Sequence, residues 1–249
     1  MEAYVSLNIE NKVGHIEFFH PNRNSMPSDV LQKLSETITT AGKHPDIKVI
    51  VLKSGGDRTF CAGASFNELI EIEDAETGQQ FFSGFAKVIN AMRTCPKLII
   101  GRVQGKAVGG GVGIAAAADY CLATQYASVK LSELSIGIGP FVIEPAVTRK
   151  IGNTAMSQMT INAEEFFSAE FAKDKGLYGE VFNTVEELDL AVLSLTEKLA
   201  SYNPEALKEM KTVFWEATDH WDALLAERAE ISGRLVLSKF TKKTLKRFR

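Results

Sequence analysis

Two short runs with β-type alternation, Val5 to Ile9 and Gly14 to Phe19, open the chain on either side of Asn11-Lys12. A period of two across so short a connection predicts a β-hairpin. The period then changes. Leu31, Leu34 and Ile38 share one helical face behind the start signal Pro27-Ser28-Asp29, with Gly42 as the expected stop. Val49 to Leu52 is apolar without a break, the pattern of a strand covered on both faces. A glycine-containing loop from Ser54 to Ala64 leads into a helical stretch, Phe66 to Glu73. Phe81, Phe85, Val88, Ile89 and Met92 predict a helix from Thr77 to Thr94, stopped by Pro96. Leu98 to Ile100, Tyr120 to Ala123 and Ser128 to Leu131 read as further strands, with the alanine-rich segment Ile114 to Ala118 as a helix between them. Strand and helix alternate, which predicts an α/β fold with a largely parallel sheet.

From about Ile143 the chain turns helical. Asn153 to Thr160, Ser168 to Lys175, Val185 to Ser201, Pro204 to Thr218 and Trp221 to Leu237 carry helical periodicity. Thr184 to Glu187 forms a capping box, and Asn203-Pro204 places a cap before a first-turn proline. The last helix shows Trp221, Leu224, Leu225, Ile231, Leu235 and Leu237, a stripe expected to need a partner surface. The tail carries Lys239, Lys242, Lys243, Lys246, Arg247 and Arg249, a solvated end on one reading and a contributor to an anion site on another.

Composition narrows the function classes. At 249 residues with 45% apolar and 24% charged residues, the chain has the balance of a globular α/β core with a small appendage. A net charge of −3 supplies no basic field for nucleic acid or an anionic membrane, so neither is expected as a partner. No apolar run is long enough to span a bilayer, and Met1 to Tyr4 shows no secretory signal. Cys61, Cys95 and Cys121 lie far apart without CxxC spacing and read as buried small hydrophobes in a reducing, cytoplasmic compartment. The four histidines have no metal-ligand spacing, so no metal is expected.

The chemistry concentrates in two strand-to-helix turns and one acid. Gly109-Gly110-Gly111, with Gly113, lies between a strand and a helix. Glycine weakens both elements, so three together point to close backbone approach, and the first amides of a helix are orphan donors on a positive dipole end. Half an oxyanion hole and plain tight packing both satisfy the pattern. The spacing breaks the dinucleotide G-x-G-x-x-G fingerprint. Phe60 to Phe66 is a second such turn, with Ala62 and Ala64 small enough to admit a ligand. Glu133 sits among apolar and small residues up to Gly137 and Pro140, where desolvation would raise its pKa toward that of a general acid or base; a surface glutamate beside a turn is the competing reading. Glu144, before Pro145, reads first as a helix cap and second as another acid.

Taken together, Arg23-Asn24-Ser25-Met26, Phe60 to Ala64, Gly105 to Gly111, Ser132-Glu133 to Gly137 and Pro140, and Asn203 to Ala206 resemble the crotonase superfamily, the enoyl-CoA hydratase/isomerase family, over nearly the whole chain. The resemblance implies a crotonase-like spiral of ββα units over residues 1–190 and a C-terminal helical trimerisation region over residues 191–249. It implies a homotrimer or dimer of trimers acting on an acyl-CoA thioester, with no cofactor because CoA is part of the substrate. Carried over by position, Ala64 and Gly110 match the two oxyanion amides and Glu133 the second catalytic glutamate. Arg23 would stand near the CoA phosphates and Ala62, Ser65 and Phe66 along CoA, with Ser25, Gly109, Pro140, Phe141 and Glu144 also expected along the substrate.

Two departures bear on the reaction. Gly113 stands where hydratases of this family carry their first glutamate, and Ser65 replaces the usual aspartate. One acid suffices to move a proton between α and γ carbons, which favours an isomerase. The stretch from Glu133 to Gly152 is similar to a bacterial methylglutaconyl-CoA hydratase-like branch, several of whose members share the glycine. The first expectation is therefore a hydratase of a 2-enoyl-CoA thioester through an oxyanion-hole-stabilised enolate, with a branched or carboxylated acyl group such as methylglutaconyl-CoA of leucine breakdown as the candidate substrate that this likeness implies. A Δ3,Δ2-enoyl-CoA isomerase using Glu133 alone is second, and a non-catalytic acyl-CoA binder third. For hydration, Glu144 is the candidate second acid facing Glu133.

Overall fold

The computed structural model describes residues 2–246, so Arg247 and Arg249 of the basic tail lie outside the described residues. The expected hairpin forms from β1 (Tyr4–Glu10) and β2 (Val13–Phe19). Asn11 and Lys12 adopt φ of 50° and 67°, the left-handed pair that matches the twist of flanking strands. After α1 (Ser28–Lys43), one pattern repeats: a strand of a large sheet, a strand of a small sheet, then helix. The successive turns are β3 (Val49–Ser54), β4 (Thr59–Cys61) with α2 (Phe66–Glu71) and α3 (Ala75–Thr94); β5 (Ile99–Val103), β6 (Lys106–Val108) with α4 (Gly110–Ala117); and β7 (Tyr120–Thr124), β8 (Val129–Lys130) with a 3-10 turn (Glu133–Ile136) and α5 (Glu144–Ile161). This is the expected spiral of ββα units. The large sheet has the order β1-β2-β3-β5-β7-β9 and the small one β4-β6-β8, β9 being Glu180–Phe182 after α6 (Ala169–Asp174). All pairings except β1 with β2 are parallel.

The unbroken apolar run of β3 has a direct cause. Ile50 and Leu52 face a core shared with α1, α3 and α4, while Val49 and Val51 face a second core closed by Leu188 and Val192 of α7 (Val185–Ser201). Residue 190 lies within α7, so the expected boundary between core and helical region falls inside one helix that covers the sheet.

The last helices, α8 (Pro204–Phe214), α9 (Trp221–Val236) and α10 (Lys239–Leu245), fold back on the spiral. Of the stripe expected on α9, Trp221 and Leu225 are buried and Leu224, Ile231, Leu235 and Leu237 are half-buried; the face that packs within the chain also takes in Ala229, Gly233 and Val236, and α9 crosses α3 where Gly78 meets Gly233. The tail is not a frayed end as far as Lys246. Thr241 and Leu245 are buried, and Leu245 packs with Leu69, Ile72, Phe81, Ile138 and Val236.

Two boundaries differ from the sequence reading. Gly42 does not stop α1, which continues to Lys43; the glycine instead admits Cys95 and Pro96, either of which would crowd a Cβ there (3.1 Å to the Cys95 sulfur). The alanine-rich helix begins at Gly110, not Ile114, because burial against neighbouring elements overrides the low helix propensity of glycine. All three cysteines are buried and unpaired.

Candidate active site

The first turn is held from below. Ala64 makes a parallel bridge with Met26, in which the amide of Met26 donates to Gly63 O (2.8 Å) and that of Ser65 to Met26 O (3.2 Å). Alternation along the strand then directs the Ala64 amide to the opposite side, where it has no partner among the described residues. Cys61 Sγ accepts the amide of Gly63 (3.4 Å), and Ser65 caps α2 by accepting the amide of Glu68 (3.4 Å). Capping is a sufficient reason for serine at that position.

The second turn comes from the small sheet. The Gly109 amide donates to Lys130 O (2.8 Å), and Gly109 O accepts from Val112 and Gly113, opening α4. Gly110 is the first residue of that helix, so its amide is an orphan donor on the positive dipole end. The two turns touch: a Cβ on Gly63 would stand 3.6 Å from Gly110 N. Ala64 and Gly110 line one cavity. Two unpaired amides on a common cavity are what a developing oxyanion requires.

Glu133 faces them. Gly109, with φ of 52°, adopts a backbone that other residues resist, and a Cβ there would come within 2.7 Å of Glu133 Oε1. The carboxylate thus rests on the glycine next to the oxyanion donor. Although the residue is partly open toward the cavity, Oε2 is buried and has no partner. Burial, opposed only weakly by its own backbone amide, pushes the carboxyl up to about 7. The cavity is otherwise apolar, walled by Phe66, Leu69, Phe82, Phe85, Ile136, Ile138, Pro140, Phe141, Val142 and Ile143, with the hydroxyl-bearing Ser132 and Ser232. Glu133 is the sole titratable residue among its described lining.

The expected residues divide on this geometry. Ala62, Ala64, Phe66, Gly109, Gly110, Glu133, Pro140 and Phe141 line the cavity; Arg23, Ser25, Ser65 and Glu144 do not. Arg23 is exposed at φ 53°, in a turn whose Asn24 O accepts the Ala62 amide (3.3 Å). Ser25 is buried with its hydroxyl 3.2 Å from His20 Nδ1. Glu144 is a correction. It is the first residue of α5, it is not part of the cavity lining, and its Oε1 accepts from Thr148 Oγ1 (2.7 Å), a bond within its own helix. The space beside Gly113 is also taken. A Cβ there would lie 2.4 Å from Ile143 Cγ2, so hydrocarbon occupies the place where a side chain would project. Phe85 was read from sequence only as part of the apolar face of α3, and Phe82 on α3 and Ser232 on α9 carried no signal that set them apart from their helices.

The chain matches the family model described as enoyl-CoA hydratase/isomerase over residues 8–248. A peroxisomal Delta(3,5)-Delta(2,4)-dienoyl-CoA isomerase of Arabidopsis thaliana is 27% identical over 234 residues, covering 86% of this chain and 82% of its own length. A short-chain-enoyl-CoA hydratase of Clostridium acetobutylicum is 28% identical over 209 residues, covering 83% and 79%. Among solved structures, an enoyl-CoA hydratase from Bacillus halodurans superposes with a TM-score of 0.90 at 21% identity, covering 98% of this chain and 99% of the other, a likeness of fold.

Proposed function

The chain belongs to the enoyl-CoA hydratase/isomerase family, and from that premise we propose that it moves the double bond of a 3-enoyl-CoA to the 2-position, with Glu133 as the sole proton carrier. The observation that carries the reading is one carboxylate, its Oε2 buried without a partner, on the same otherwise apolar cavity as two unpaired amides. Ionised Glu133 takes a proton from C2. The electron pair moves into the thioester carbonyl, and the resulting dienolate oxygen is held by the amides of Ala64 and Gly110. The same carboxyl then returns the proton at C4 as the carbonyl re-forms, so atoms and charge balance without water. A midpoint of about 7 suits both halves of the exchange.

Hydration, the first expectation from sequence, is less well supported. It needs a group to hold and activate water, and Glu144 lies outside the cavity while Ile143 fills the space over Gly113. The test is mass-spectrometric and ultraviolet analysis of products from 2-enoyl- and 3-enoyl-CoA panels. Conversion of the 3-enoyl to the 2-enoyl thioester at constant mass supports isomerisation; gain of one water from the 2-enoyl thioester returns the reading to hydratase. A homotrimer or dimer of trimers is part of the same proposal, with Leu190 and Leu193 of α7 and Met210, Val213 and Phe214 of α8 as the exposed apolar positions available for assembly. A stable monomer by light scattering at micromolar concentration overturns that part.

A further inference from the structure

Glu133 opens a single 3-10 turn, and the closing end of that turn is bound by a residue more than a hundred positions later. Gly137 N donates to Leu134 O and Ile138 N to Glu133 O, both at 3.1 Å, so Glu133 and Gly137 move as one unit. Gly137 has φ of 88°, and its carbonyl accepts a hydrogen bond from Thr241 Oγ1 of α10 (3.0 Å). Thr241 is fully buried, and α10 lies so close that a Cβ on Gly137 would come within 2.5 Å of both Thr241 Oγ1 and Phe240 Cδ1. The donor is itself oriented: Ser238 Oγ donates to Thr241 Oγ1 (3.0 Å) and accepts the Thr241 amide (3.2 Å). Leu245 anchors one end of α10 in an apolar cluster, and Lys242 Nζ donates to Ile72 O of the segment after α2.

We propose that Thr241 is the positioning residue for Glu133, its hydroxyl holding the turn that keeps the carboxylate over Gly109 and toward the oxyanion amides. The proposal rests on Glu133 being the proton carrier. Its physical content is that a carboxylate with no side-chain or backbone partner on Oε2 cannot orient itself, so its direction comes from the backbone that bears it. That backbone has few anchors of its own: the turn is short, and its exit runs through a left-handed glycine that α10 covers. Charged groups lie on the elements packed against the turn, and none of them lines the cavity: Glu144, Arg149 and Lys150 of α5, Glu164 and Glu165 just after it beside Leu134 and Ser135, and Lys239, Lys242 and Lys243 of α10 with Lys246 after it.

Thr241→Val keeps the volume and removes the donor. Its kcat on a 3-enoyl-CoA should fall about tenfold to a hundredfold with KM within about twofold, as for a misdirected but otherwise intact base. Thr241→Ser restores the donor and should recover most of that loss. Thr241→Cys, matched in size to serine and a weak donor, stands in should the valine variant fail to fold, and should behave like it. A second readout needs no substrate. The carboxyl stretch of Glu133, isolated by infrared difference against Glu133→Gln, should titrate near 7 in the parent and the serine variant and lower in the valine or cysteine variant as the group swings toward solvent. If the parent lacks isomerase activity yet this midpoint moves, the functional reading fails and the positioning role stands. Parent-like kcat and midpoint in the valine or cysteine variant, or equal loss in serine and cysteine variants, overturns the role of Thr241.

Discussion

Glu133 is held where it is less stable charged than it would be in water, and that has two measurable consequences. Its carboxyl titrates near 7 in the folded chain against an ordinary 4.5. Between those values the folded state keeps a proton that the unfolded state has released, so this contribution to stability is complete below about 4.5 and is lost as pH rises through 7. Glu133→Gln has no charge to bury. It should be more stable than the parent at pH 8 by on the order of 2–3 kcal/mol, with the gap closing toward pH 4 in paired urea melts. The same substitution should lower turnover by on the order of 10²–10⁴-fold while leaving CoA-ester binding nearly intact, and parental kcat/KM should rise with pH to a plateau above about 7. A flat pH profile or unchanged turnover would remove Glu133 from the mechanism. From sequence alone this residue was one of two acids; Glu144 separated from it only when it was seen to lie outside the cavity lining, bonded to Thr148 within α5.

At the scale of elements, backbone approach controls the tolerances. α3 and α9 cross at Gly78 and Gly233, where a Cβ on Gly233 would lie 2.5 Å from Gln79 N and 2.8 Å from Gly78 C. Those atoms are main chain and cannot step aside, so Gly233→Ala should destabilise by about 1–3 kcal/mol, read as a lower thermal midpoint. Gly113→Glu meets a side chain instead, the branched Cβ and Cγ2 of buried Ile143 at 2.6 and 2.4 Å, and should lose stability by about 1–3 kcal/mol as that core position is overpacked, without gaining water addition, checked by melting and by product mass. The helical stretch of α9 was legible from its apolar spacing, but its partner was not. Periodicity states that a face must be covered; which surface covers it depends on where α3 lies, and the answer was inside the chain. The short strands β4, β6 and β9 also escaped the sequence reading, since a three-residue strand has too few positions to display a period.

Across the whole molecule, one buried ion pair ties the C-terminal helices to the spiral. Lys211 of α8 bonds Asp119 at 2.7 and 2.9 Å and also donates to Met92 O of α3, while Trp215 Nε1 and the Ile99 amide donate to the same carboxylate. Both side chains are nearly inaccessible, at 3% and 4%. Lys211→Met would strand the Asp119 charge, and should cost about 3–5 kcal/mol by urea denaturation. Because α9 and α10 follow that anchor and contribute Ser232 to the cavity and Thr241 to the Glu133 turn, partial loss of turnover should accompany the loss of stability.

Local patterns by themselves determined the hairpin, the double-faced strand β3, the long helices and the alternation that makes the fold α/β. Each depends on side-chain period, turn chemistry or a cap, all written within a few neighbouring residues. The two glycine-bearing turns and Glu133 were also visible as unusual residues in unusual company. Tertiary structure alone decided what they face. The shared cavity of Ala64 and Gly110, the exclusion of Glu144, the filling of the space at Gly113 by Ile143 and the hold of Thr241 on Gly137 all join residues distant in sequence. Their meeting follows from the register of two sheets and the return path of the last helices, which no local period encodes.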